Sequence, residues 1–163
     1  MSRNPGQVTH AVLIGSVVPF LLQTADHDGA PKAVFDGMIE GIKADRPAFF
    51  REFLKAFFGP GKVSDEVIDD AWRQAMLAGL RPTLACVSAF SETDFRPDLP
   101  NFTMPTLIVH GVEDQTVPID LTARAAAKAI PHAKLVEYDD GAHGIFASHR
   151  ERLIGDLLDF LGS

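Results

Sequence analysis

Thr106-Leu107-Ile108-Val109-His110-Gly111 is a largely apolar run, introduced by Pro105 and closed by a glycine. A run this short, without polar alternation, predicts a strand buried on both faces, as in a parallel sheet covered by helices. Ala11-Val12-Leu13-Ile14-Gly15 has the same pattern, and Ala133-Lys134-Leu135-Val136-Glu137-Tyr138 is a third, less uniformly apolar candidate expected nearer a sheet edge. A helix expected from Ile119 to Ala129 links the second and third strands, and a closing helix is expected from His149 to Leu161. Strand, helix, strand, helix is the signature of parallel βαβ units, so the fold class is α/β.

The segment between the first two strands reads as helical. Phe35, Met38, Ile39 and Ile42 recur at helical spacing. Asp45 can cap a second helix with Pro47 in its first turn; that helix carries Phe49, Phe50, Phe53, Leu54, Phe57 and Phe58 and stops at Gly59-Pro60-Gly61. Ser64 can cap a third, with Asp65 and Glu66 favourable near its positive end, and a fourth runs from Pro82 to Phe90. Arg96 to Met104, with Pro97 and Pro100, is expected to be a loop. The phenylalanine-rich helix either presents a core face or lines an apolar pocket. The expected organisation is a core of residues 1–24 and 103–163, with residues 25–102 as a helical cap and connecting loop.

Composition bounds the function. The 163 residues suit one compact domain, able to bury roughly 70% of its unfolded surface. With 46% apolar residues the chain is not wholly disordered. A net charge of −7, from 22 acidic and 15 basic residues, repels phosphate backbones and anionic lipid, so no nucleic-acid or membrane partner is expected. No apolar run approaches the roughly 20 residues that span a bilayer, and Met1 to His10 lack a signal-peptide core, so a cytoplasmic location is expected. Cys86 is the only cysteine, which excludes an intrachain disulfide; it lies in an apolar helical stretch and is expected to be packed. His110, His132 and His149 show no ligand spacing, and neither metal nor cofactor is expected.

Ligands of doubly wound folds bind beyond the carboxyl ends of the strands. Asp114 stands there, four residues past His110, and His143 stands five residues past Tyr138. Alone, a turn aspartate is ordinarily solvated or capping, and a histidine in a glycine-bearing loop is ordinarily on the surface. Neighbouring parallel strands, however, lie about 4.8 Å apart, so residues on adjoining post-strand loops can hydrogen-bond. A carboxylate that holds an imidazole N–H fixes its tautomer and stabilises its protonated form. The order Asp-then-His also matches the last two members of a hydrolase triad.

Met104 to Gly111, followed by Glu113-Asp114-Gln115 and Val117-Pro118, resembles the acid-bearing segment of cofactor-free (non-haem) haloperoxidases and related arylesterases, and Gly141-Ala142-His143-Gly144 is similar to their histidine loop. Ala11 to Pro19 with Leu21-Leu22 and Thr24, then Val34-Phe35-Asp36-Gly37 and Thr93-Asp94-Phe95, extend the likeness over nearly the whole chain. The resemblance implies the C-terminal part of an α/β-hydrolase fold, with Asp114 as triad acid and His143 as general base. It also implies hydrolysis of small carboxylic esters, with perhydrolase or haloperoxidase side activity. Two features depart from the family. Val112 stands where it often has an acid, which brings neighbouring Glu113 into consideration. No serine sits in a G-x-S-x-G elbow; Ser16 follows a strand and Gly15 but leads into Val17-Val18-Pro19, and is expected simply to line the sheet's carboxyl edge. The chain therefore reads as a fragment lacking the nucleophile, expected to self-associate or to pair with an N-terminal half through the open edge of its first strand. The alternative is a non-catalytic binding or assembly module.

Overall fold

The computed structural model describes residues 5–162; residues 1–4 and 163, at the outer ends of the expected core segments, lie outside the described residues. Three strands form a parallel sheet in the order β1 (Ala11–Ile14), β2 (Thr106–Gly111), β3 (Ala133–Tyr138). β2 lies in the middle and every one of its residues is buried. Alternation along it feeds two cores. Ile108 joins Ala11, Leu99, Phe102, Ile119 and Ala126 on one face, while Leu107 and Val109 join Tyr138, Ile145 and Leu153 on the other. Each large side chain so buried contributes about 1.5–3 kcal/mol.

β1 is less buried than its apolar run predicts, and its open edge agrees with the expected missing neighbour. Val12 and Leu13 are half-buried and Ile14 is 40% exposed, because among the described strands β1 has β2 alone for a neighbour. β3 is the opposite edge, as its weaker apolar pattern implies.

Helices α1 (Lys32–Phe58), α2 (Asp65–Leu77) and α3 (Leu80–Glu92) follow β1. α1 combines the two helices expected here, joined at Asp45, whose φ of −153° and ψ of 86° break the helical path. The Asp45 carboxylate accepts the Ala48 N–H at 3.0 Å, acting as the cap that its sequence position predicts. α1 ends at Gly59, which takes the left-handed φ of 82° while its N–H reaches back to the carbonyls of Lys55 and Ala56. Leu21, Phe35, Ile42, Val87 and Val117 form a separate apolar cluster under these helices.

Ser64 stands at the N-cap of α2, but its side chain makes no capping hydrogen bond to the backbone there. The stretch expected to be a plain loop contains a 3-10 helix, Arg96–Asn101. The helix between β2 and β3, α4 (Ala123–Ala129), starts later than expected, since Thr122, at φ −126° and ψ −87°, interrupts the path from Ile119. α5 (Ile145–Ser148) precedes α6 (Arg150–Leu161). Cys86, expected to be packed, is exposed: α3 turns that side to an open apolar cavity of about 340 Å³, also lined by Met38, Phe49, Phe50 and Phe53. The phenylalanine-rich half of α1 thus serves both expected ends, because Leu54 and Phe58 are buried while Phe49, Phe50 and Phe53 line the cavity. Among the described residues, no helix is long and apolar enough to cross a membrane.

Candidate active site

The sheet's register sets the site's level. Gly111 lies opposite Tyr138, so β2 and β3 end flush and release their loops side by side. The loops are then stitched by backbone. The Tyr138 carbonyl accepts the N–H groups of Val112 and Gly141, both at 2.9 Å, and the Gly141 carbonyl accepts the Glu113 N–H at 2.9 Å. Glycine is required at this crossing: a Cβ on Gly111 would lie 2.1 Å from the Gly141 oxygen.

Asp114 and His143 meet above this crossing. His143 Nδ1 lies 2.7 Å from Asp114 Oδ2, and since a carboxylate only accepts, Nδ1 carries the hydrogen. The other carboxylate oxygen, Oδ1, accepts the N–H groups of Thr116 at 2.9 Å and Val117 at 2.8 Å. The neighbouring acid, Glu113, is exposed and turns instead to Lys62, 3.7 Å away; Lys62 also donates to Asp140 at 3.2 Å. Of the two adjacent acids, therefore, Asp114 is the one that reaches the imidazole.

The Asp114 side chain is fully buried. Burial pushes its carboxyl up, but hydrogen bonds from His110 and His143, the charge on His143 when protonated, and the Val117 N–H outweigh that and hold it at about 2.

His143 is fixed on its other sides too. The Phe57 ring meets it edge-on, with centroids 4.7 Å apart. The Gly144 N–H donates to the Phe57 carbonyl at 2.8 Å, which ties the histidine loop to α1. At the end of β1, a Cβ on Gly15 would stand 3.2 Å from His143 Cε1. The His143 side chain remains 19% exposed, and its Nε2 makes no hydrogen bond among the described residues. An imidazole held at Nδ1 by a buried carboxylate, with a free lone pair on Nε2, is equipped to take and return a proton there.

Ser16 lies just past β1, where its Oγ accepts the Val18 N–H at 3.2 Å. His132 is exposed, with a left-handed φ of 60°. His149 bridges Asp140, at 3.0 Å, and Ser148, at 2.8 Å. His110 was not anticipated at the site: it is fully buried and lies 3.1 Å from Asp114 Oδ2. Its spacing of four residues from Asp114 is the only sequence signal for that contact.

A family model described as alpha/beta hydrolase fold matches residues 2–149. The chain belongs to the α/β-hydrolase fold family. It is 37% identical to the non-heme chloroperoxidase CPO-A1 of Kitasatospora aureofaciens over 163 residues, covering 96% of this chain and 59% of that protein. It is 36% identical to the bifunctional esterase/perhydrolase DCH of Acinetobacter calcoaceticus over 170 residues, covering 100% of this chain and 62% of that one. The crystal structure of bromoperoxidase from Bacillus anthracis superimposes with a TM-score of 0.90 at 39% identity, over 94% of this chain and 58% of that chain. The chain thus spans about three-fifths of the length of the relatives it matches.

The Asp114 carboxyl is lowered from 3.8 to about 2 in the folded chain, so it contributes stability that is complete above pH 4 and lost as the pH falls through 2. Asp114→Asn is expected to cost about 2 kcal/mol at pH 7 in urea unfolding. The difference from wild type should close between about pH 4 and pH 2, and a difference unchanged over that window would contradict this assignment.

Proposed function

We propose that this chain supplies the acid and the base of a serine-hydrolase centre acting on small carboxylic esters, with perhydrolysis and consequent halogenation as side activities. The observation that carries it is the 2.7 Å bond from His143 Nδ1–H to buried Asp114, with Nε2 left free. In this reading Nε2 takes the proton of a serine Oγ as that oxygen bonds to the ester carbonyl carbon, and returns it to the leaving alcohol as the C–O bond breaks. The same nitrogen then activates water to release the acid, or hydrogen peroxide to release a peroxyacid, which oxidises halide. Asp114 keeps the imidazole in the required tautomer throughout. The serine and the oxyanion donors must come from outside these 163 residues, since no serine here has the elbow setting.

The division into a core (residues 1–24 and 103–163) and a cap (residues 25–102) is supported by the unbroken succession of helices α1, α2 and α3 between β1 and β2. A cytoplasmic location accords with the absence, among the described residues, of a helix able to cross a membrane. The edge of β1 that has no neighbouring strand among the described residues, together with exposed Ile14, supports pairing with a second copy or with a complementary chain. Light scattering should show mass rising with concentration; a stable monomer at high concentration would count against this pairing.

A binding-module reading rests on the apolar cavity beside Phe49, Phe50 and Phe53. p-Nitrophenyl acetate hydrolysis separates the two readings. Activity is expected when the chain is mixed with an N-terminal half bearing a G-x-S-x-G elbow, and His143→Ala should reduce it by about 10²–10⁴-fold. Activity indifferent to His143→Ala contradicts the enzyme reading, and binding without turnover in every mixture favours the module.

A further inference from the structure

His110 is fully buried on β2, just ahead of the acid loop. Its Nε2 lies 2.8 Å from the Val117 carbonyl oxygen and 3.1 Å from Asp114 Oδ2. Both neighbours only accept, so the hydrogen sits on Nε2, bonded to the Val117 carbonyl with Oδ2 beside it, while Nδ1 has no hydrogen-bond partner among the described residues. The opposite side of Oδ2 takes the Nδ1–H of His143 at 2.7 Å. One imidazole N–H thus donates to Oδ2 and a second lies 3.1 Å from the same oxygen, so the positive end of each N–H dipole draws on its negative charge and leaves less for the other.

The charged groups on the adjoining elements have partners of their own. Glu137, opposite His110 in the register, is held by Arg124 at 2.6 Å. Lys62 is engaged with Asp140 and Glu113. His143 otherwise faces the Phe57 ring and Gly15.

We infer that His110 is a positioning residue that acts through Asp114: it holds Oδ2 to the Val117 end of its own loop and limits how strongly the carboxylate draws on His143. This rests on the reading of Asp114 and His143 as an acid–base pair. Its test needs neither nucleophile nor substrate, so it can fail while that reading stands, and the ester assay can fail while this one succeeds.

The readout is the proton resonance of His143 Nδ1–H, recorded by NMR on the whole chain at low temperature. His110→Leu removes the second donor, so the His143 bond should tighten and its resonance move further downfield. His110→Gln carries an amide N–H the same number of bonds from Cβ as the imidazole Nε2, and should return the resonance towards its wild-type position. An unmoved or upfield resonance in a His110→Leu chain with native backbone amide shifts would overturn the inference, as would a His110→Gln chain that behaves like His110→Leu. If His110→Leu does not fold, His110→Asn, whose amide ends one bond short, takes its place with the same expectations.

Discussion

A charged carboxylate is buried at the end of this sheet, and the surrounding structure is arranged to make that tolerable. Removing Asp114 from water is costly unless its oxygens are satisfied. Here Oδ1 takes two backbone N–H groups, and Oδ2 takes the His143 N–H with His110 Nε2 3.1 Å away. The arrangement depends on β2 and β3 ending flush, since a stagger of one residue would carry the acid past the histidine loop. Flush ends alone do not bring the loops together; the bonds among Val112, Glu113, Tyr138 and Gly141 do. Gly111 permits that approach because any side chain there would strike the Gly141 carbonyl.

The helical segment after β1 completes the setting of His143. The carbonyl of Phe57 anchors the backbone next to His143, and its ring covers one side of the imidazole. Gly144 is again a site of close approach, since a Cβ there would lie 2.3 Å from the Phe58 ring. Lys62, just past α1, bridges the acid loop and the histidine loop through Glu113 and Asp140. The end of α1 is thus tied to both loops, so the orientation of His143 depends on the packing of α1 as well as on Asp114.

Much of this was legible because the decisive signals are local. The apolar run before Gly111, the glycines flanking His143 and the capping sequence at Asp45 each specify backbone within a few residues, and each lies where the reading put it. The misreadings concern tertiary surroundings. Helical periodicity places Cys86 on an apolar stretch but does not say whether another element covers it, and α3 leaves it open to a cavity. The apolar run of β1 looks like that of a central strand, yet burial depends on neighbours, and β1 has β2 alone among the described strands. His110 escaped notice because a histidine inside a strand gives no sign of which side chain it meets. Its partner lies beyond the turn, where no periodicity rule applies.

The central claim is that Asp114 fixes His143 as the tautomer with hydrogen on Nδ1 and a lone pair on Nε2. Nitrogen-15 NMR of the chain labelled at histidine, at neutral pH, distinguishes the two ring nitrogens of His143 by their shifts. The account predicts a protonated, pyrrole-type Nδ1 and an unprotonated, pyridine-type Nε2. The reverse assignment would mean that the carboxylate does not hold the ring, and would contradict the account.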